Sequence, residues 1–319
     1  MLKIKNKKSD VVCIGGATRD FMFYSSAGEL ISTDDLTKQK LLAFEYGAKI
    51  MADKIYYTFG GGAANSAASF ATLGLKSAIV CKVGNDEDSQ KVVKNLKDKG
   101  VDVSLIKFDK DNPTAFSMIL TVKGKENEHI AFAYRGANEF LLAKDLPREI
   151  SASWFYVTSL PKNGWEGIMD SLVKRGANLA WNPGNSQLQK IASLKKYLPK
   201  VKVLMLNKDE ALEFKKLKDI KGLIKYIHSL GSQVVVITDG SVGAYVYDGQ
   251  KYYFMKALKV KSLDTVGVGD AFSSAFTSAL IYGNNIKTAL SWGIKNSASV
   301  ISKIGAQNGL LSKRQITKG

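Results

Sequence analysis

Short apolar runs, rich in β-branched residues and closed by a turn residue, recur along the chain. They are VVCIGG (11–16), SAIVCKVG (77–84), WFYVTS (154–159), NLAWNPG (178–184), VLMLN (203–207) and VVVITDG (234–240). Neither face of such a run carries the polar alternation of a half-exposed strand, so both faces must be covered. Between the runs lie segments of helical period: NSAASFATLGL, DSQKVVKNLKDKG, WEGIMDSLVKRG, NKDEALEFKKL and IKGLIKYIHSLG. Several end at Gly, as a helix C-terminus does. This alternation dictates an α/β fold, a doubly wound and mostly parallel sheet flanked by helices.

Two stretches break the rhythm. Residues 17–59 and 112–135 hold FMFYSS, KIYYTF, TAFSMILTV and HIAFAYRG, which alternate apolar and polar side chains in strand fashion. They predict a small, largely antiparallel β-sheet inserted into the α/β body, placed to act as a lid. No repeat, low-complexity tract or proline-rich linker divides the chain, so residues 1–319 read as one domain with the lid segments inserted.

Composition narrows the function classes. There is no run of eighteen apolar residues, so no membrane span or membrane partner is expected, and the basic start does not lead into a secretory leader. Cys13 and Cys81 sit inside strand-like runs, as buried thiols of a reducing compartment do, which points to the cytoplasm. The net charge of +17 comes from lysines spread along the whole chain, without an Arg-rich segment interleaved with aromatics. We read it as a solvated surface and expect no nucleic-acid partner; such a field would also draw in anions such as a nucleoside triphosphate.

In open parallel sheets ligands bind beyond the carboxyl ends of the strands. Those ends carry Gly15–Gly16 with Asp20 soon after, Gly84–Asn85–Asp86, Asn182–Pro183–Gly184, Asn207 to Glu210, and Thr238–Asp239–Gly240. Neither a Walker A loop nor a G-x-G-x-x-G fingerprint follows the first strand, G-x-S-x-G is absent, and two scattered histidines make no zinc site. The stretch LDTVGVGDAFSSAFTSALIYG (263–283) puts Gly267, Val268 and Gly269 at the mouth of a helix that begins near Asp270. Their amides would form a main-chain anion hole, with the Asp270 carboxylate in reach of whatever attacks the bound group. A capping Asp with glycines for packing explains the same spacing.

DTVGVGDAF (264–272) resembles the C-terminal signature of the ribokinase/PfkB family of sugar and nucleoside kinases, D-T-x-G-A-G-D-x-F, with Val268 replacing the usual Ala. FGGGAANSAASFATLGLKSAIVCKVGNDEDS (59–89) resembles the family's N-terminal signature. NKDE (207–210), VITDGSVGA (236–244) and KNSASVISKIGAQNG (295–309) resemble its N-x-x-E element, its nucleotide loop and the segment that closes the adenine pocket. The matches span nearly the whole chain in the family's order.

The resemblance implies ATP and Mg2+ as cofactors and Asp270 as the catalytic base, with the anion hole on Gly267, Val268 and Gly269. It implies Asn207, Thr238, Gly240, Gly243 and Asn296 around the nucleotide, the last near its base. Glu210 would act on Mg2+ through water, because magnesium keeps much of its hydration shell. Asp20, Gly61, Gly62 and Asn65 would hold the acceptor's hydroxyls, with Arg135 either reaching the acceptor from the lid or forming a surface charge. Asp264, Val266, Val300 and Gly305 are similar to the monovalent-cation loop of some members, where K+ binds. Two departures touch the acceptor side: Ser159 stands where ribokinase has an acid, and the long loop after the first strand lacks Pro-Gly-Glu. Ribose is therefore not the expected acceptor. The reading is a carbohydrate kinase, with a nucleoside kinase and a catalytically silent regulator as alternatives, and a homodimer through the lid as a candidate assembly.

Overall fold

The computed structural model describes residues 8–32, 40–122 and 129–318. Among them an eight-stranded sheet runs Tyr252–Lys256, Gly243–Tyr247, Val234–Asp239, Val203–Asn207, Asn178–Trp181, Ala152–Val157, Ser9–Ile14, Ser77–Val80. Pairings from Val234–Asp239 through Ser77–Val80 are parallel, and the two strands at the other edge are antiparallel. From Ser9–Ile14 the chain first moves to Ser77–Val80 on one side, then returns to Ala152–Val157 and proceeds the other way. The order therefore reverses between Ser9–Ile14 and Ala152–Val157, where an open α/β sheet leaves its ligand crevice.

Side chains alternate across this sheet. Val11, Cys13, Tyr156, Met205 and Val236 pack beneath the helices Gly62–Thr72, Val268–Ile281 and Ile286–Ile301. Val12, Ile14, Phe155, Trp181, Leu204 and Ile237 pack against Trp165–Val173, Lys208–Phe214 and Ile220–His228 on the opposite face. Burial on both sides explains why the strands read as unbroken apolar runs. The helices Gly62–Thr72 and Val268–Ile281 pack side by side and are rich in small buried residues, among them Ala63, Ala64, Ala67, Ala271 and Ala275. They come close enough for Ser274 Oγ to donate to Ser69 Oγ at 2.7 Å. Few large side chains separate them, so polar groups near their N-termini can meet.

The run 77–84 divides: Ser77–Val80 joins the main sheet, while Lys82–Gly84 pairs with Lys107–Asp109 in a separate ribbon. The two inserted stretches form a four-stranded sheet in the order His129–Tyr134, Phe116–Val122, Thr18–Ser25, Lys54–Gly60, beside a hairpin of Glu29–Ser32 and Lys40–Ala43. Residues 33–39 and 123–128 of these stretches lie outside the described residues. The sheet is largely antiparallel, as expected, with one parallel pairing at its centre. Each insertion runs out and back; the outgoing strands Thr18–Ser25 and Phe116–Val122 lie side by side in parallel, and the returning strands flank them.

Candidate active site

One end of the crevice, where the sequence leads us to expect the phosphoryl group, is made by elements of the main body. Gly267 caps the helix Val268–Ile281 with φ 74°, and a Cβ at this position would collide with Ala306. The residue must be glycine for the chain to enter the helix here. Ala271 N–H is the first of the helix to reach back to Gly267 O, at 2.9 Å, so the amides before it point out of the helix end. Asp270 sits in this first turn, beside a cavity of about 190 Å³ lined also by Asn182, Asn207, Glu210, Thr238, Gly267 and Gly269. Burial pushes the Asp270 carboxyl up to about 6, against the opposing effect of a 2.8 Å hydrogen bond donated by Asn65 Nδ2 to Oδ2.

Asn207 ends its strand and caps the next helix. Its Oδ1 accepts from Glu210 N–H at 2.8 Å, and Glu210 Oε2 accepts from Asn207 N–H at 2.8 Å. Glu210 is raised above the ordinary carboxylate range, first by burial and then by the negative charges of Asp270 and Asp209, while the Asn207 hydrogen bond opposes the shift. Thr238 lies level with Asn207 on the neighbouring strand. Gly240 and Gly243 form the turn that follows, where Lys208 Nζ bridges to Asp239 at 3.1 Å.

The other end, where the sequence leads us to expect the acceptor, is made by loops and the small sheet. Gly16 O accepts the first amides of the helix Gly62–Thr72, from Ala63 and Ala64 at 3.1 and 3.2 Å. Gly61 has φ 89°, and its Cα faces Gly16 O so closely that a Cβ would fall 2.5 Å from that oxygen. Asp20 is buried against Gly60, its Oδ1 accepting from Thr18 Oγ1 at 2.9 Å, and burial raises its pKa. Thr58, level with Asp20 across the strand pair, carries a buried hydroxyl without a partner among the described residues. Arg135 follows the last strand of the small sheet; it pairs with Glu139 and donates to Ser159 Oγ at 3.4 Å and Leu160 O at 3.0 Å. The structure thus brings Arg135 to the loop where Ser159 departs from the family pattern.

Not every expected residue reaches the crevice. Asn296 is fully buried: its Nδ2 donates to Ala271 O at 2.9 Å and Ser69 Oγ at 3.2 Å, and its Oδ1 accepts from Leu311 N–H at 2.9 Å. Helical period places it with Ala289, Gly293 and Val300 on the buried face of Ile286–Ile301. Asp264 meets Val266 and Gly305, and its own N–H donates to Ile301 O, the residue after Val300. Its two oxygens accept backbone N–H groups from Val266 at 3.0 Å and Gly305 at 2.7 Å, while Val300 O accepts from Lys303 N–H at 2.9 Å. Among the described residues no cluster of His, Cys, Asp or Glu is arranged to hold a metal by side chains alone.

Sequence reasoning missed a set of buried amides that hold the loops. Asn138 clamps both backbone groups of Ala17, at 3.2 and 2.9 Å. Gln187 takes the N–H and carbonyl of Leu160 at 3.2 and 3.1 Å and the Gly184 N–H at 3.1 Å. Gln307 Nε2 donates to Asn65 Oδ1 at 3.1 Å. Only Gln307 lay inside a quoted motif, and nothing in its local pattern distinguishes it from a surface amide.

A switch-point crevice, a helix mouth of outward amides and a half-buried carboxylate make a site suited to phosphoryl transfer. Residues 9–314 match the profile of the pfkB family carbohydrate kinases, so the chain belongs to that family. It is 27% identical to an ATP-dependent 6-phosphofructokinase of Thermoanaerobacterium thermosaccharolyticum, over 94% of this chain and 90% of that protein. It is 25% identical to a ribokinase of Haemophilus influenzae, over 84% and 89%. Its fold matches a Methanocaldococcus jannaschii nucleoside kinase of the ribokinase family (TM-score 0.79, 21% identity, 97% and 96% covered). It equally matches a putative ribokinase II from E. coli in complex with ATP and Mg2+ (TM-score 0.79, 17% identity, 97% of both chains). The fold is ribokinase-like, and among the described residues no helix is long and apolar enough to cross a membrane.

Proposed function

We propose that the protein transfers the γ-phosphoryl group of ATP to a hydroxyl of a sugar or sugar derivative, with Asp270 as general base. The observation that carries this reading is the meeting of Asp270 with the outward amides of the same helix mouth in one cavity. A carboxylate held near pH 6 is ionised at neutral pH yet basic enough to take a proton as the hydroxyl attacks. Asn65 occupies Oδ2, which leaves Oδ1 for the acceptor. The acceptor O–H gives its proton to Oδ1 while its oxygen bonds to the γ-phosphorus; the bond to the bridging oxygen breaks, and ADP leaves with that electron pair. The amides of Gly267, Val268 and Gly269 face the transferring group and stabilise its charge.

Thr238, Gly240 and Gly243 would line the nucleotide. Asn207 and Glu210 would approach Mg2+ through water, Glu210 with the Oε1 that its cap does not use. Mg2+ supplies neutralisation of the phosphate charge. Asp20, Gly61, Gly62, Asn65 and Arg135 would receive the acceptor beneath the small sheet, which we read as a lid. Its outer face sets Phe21, Tyr57, Met118 and Phe132 in register, with Tyr57 61% and Phe132 62% exposed, a surface on which a second copy would pack. A K+ ion would lie at the loop of Asp264 and Gly305.

One observation favours a nucleoside as the acceptor. The face of the small sheet that carries Asp20 also carries the half-buried rings of Tyr24 and Tyr56, backed by buried Met22 and Ile119, and the two rings would flank a base. An ADP-release assay with Mg-ATP against sugars, sugar phosphates and nucleosides, with and without potassium, tests both readings. Turnover with one class identifies the acceptor; silence with all of them while ATP still binds would replace the kinase reading by a regulatory one.

A further inference from the structure

The Asp270 carboxylate ends a run of amides that starts outside the crevice. Asn95 Nδ2 donates to Gln307 Oε1 at 2.7 Å, Gln307 Nε2 to Asn65 Oδ1 at 3.1 Å, and Asn65 Nδ2 to Asp270 Oδ2 at 2.8 Å. Asn65 and Gln307 are each 5% exposed. An ionised carboxylate only accepts, so Asn65 must turn its NH2 toward it, which leaves the Asn65 carbonyl to Gln307 and the Gln307 carbonyl to Asn95. One charge thus sets the direction of every amide in the run. Lys99 Nζ holds the Gln307 main-chain oxygen at 3.2 Å. Asn95 and Lys99 belong to the end of the helix Glu87–Asp98, an element with no side chain in the phosphoryl cavity.

We propose that Gln307, anchored by Asn95, is a positioning residue for Asp270: by occupying Asn65 Oδ1 it keeps the Asn65 NH2 on Oδ2 and leaves Oδ1 as the oxygen that meets the acceptor. The inference rests on the reading of Asp270 as the base. Without Gln307, Asn65 Oδ1 is a buried acceptor lacking its donor, and the amide is free to rotate its carbonyl toward the carboxylate, where the two oxygens repel. The other titratable groups that bear on Asp270 are Glu210 from the helix Lys208–Phe214 and the buried Tyr156 and Cys13 from the strands beneath. None of them contacts Gln307 through a hydrogen bond described here, so a substitution at 307 leaves them in place.

The test is the pH profile of kcat/KM for Gln307→Leu, Gln307→Glu, Asn65→Ala and the double variant Asn65→Ala/Gln307→Leu, with melting temperatures beside it. Asn65 donates to the ionised form and so holds the Asp270 pKa down; weakening that bond raises the pKa and moves the acid limb toward alkaline pH. Gln307→Leu is expected to shift the limb by roughly half a unit to one unit and to lower kcat roughly tenfold, with the KM for ATP nearly unchanged. Gln307→Glu shifts it further, because a carboxylate there draws the Asn65 NH2 away. In the Asn65→Ala background Gln307→Leu adds no further shift, since its effect passes through Asn65. A limb that stays in place in both Gln307 variants, whatever the melting temperature does, overturns the inference. So does an additive shift in the double variant. Full turnover by Asp270→Asn would instead overturn the reading of the base, and that result comes from a separate protein.

Discussion

The two ends of the crevice are built from different materials. The phosphoryl end is main chain and short side chains on core elements: Gly267 to Asp270 at one helix mouth, and Asn207 and Glu210 locked to each other at another. The proposed acceptor end is a set of loops, two of them held by distant amides at Ala17 and Leu160, under a sheet whose segments enter from two insertions. In the proposed reaction every acceptor would receive the same phosphoryl group, so the first end would have one task and a packed geometry suits it. The second must recognise one molecule among many, and loops on a rigid body can change without disturbing the core. On this division, substitutions at the phosphoryl end should slow all acceptors alike, while those at the acceptor end should change discrimination.

The largest effect is expected from Asp270→Asn, which should lower turnover roughly 10²- to 10⁴-fold for every acceptor while calorimetry shows ATP binding nearly intact. A loss confined to one acceptor would break the division. The same variant should melt higher than the parent at pH 8. The raised pKa of Asp270 means that the folded state holds its proton more tightly than the unfolded chain, so ionisation above about pH 6 weakens the fold. The gain should vanish below about pH 4, where both states are protonated. Gly267→Ala comes next. With φ 74° and Ala306 in the way, it should cost about 1–3 kcal/mol of stability in denaturant melts and displace the amides enough to lower kcat.

Smaller effects sharpen the contrast. If Asp270 is the base, the kcat/KM of the parent should fall on the acid side with a limb near pH 6, because only the ionised carboxylate can accept a proton. A flat profile between pH 5 and 8 would remove Asp270 from the proton transfer. Asp20→Asn and Arg135→Gln should raise the acceptor KM by roughly tenfold each, with the ATP KM unmoved, and should reorder the preference within an acceptor panel. If they lower kcat equally for all acceptors, the small sheet serves closure and not recognition.

How legible each end was follows from these materials. The glycines and acid of 264–272 lie together in the chain because one helix mouth needs them in consecutive positions, so the stretch reads as a site before any folding. The apolar runs declare a sheet covered on both sides for a similarly local reason. The amide clamps do not announce themselves: Gln307 and Asn65 are 242 residues apart, and Asn138 and Ala17 are 121 apart. Asn296 shows the opposite failure. It lies in a segment that resembles a nucleotide-pocket wall, yet helical phase turns it inward to hold Ala271 and Leu311.

By itself, the sequence determined the α/β class, the run of buried strands and the helix mouth that gathers amides around Asp270, because each depends on residues close along the chain. Only the tertiary structure decided that the outgoing strands of the small sheet pair in parallel, that Arg135 meets Ser159, and that Gln307 donates to Asn65. Those contacts join segments far apart in sequence, and their geometry exists only once the core has brought the segments together.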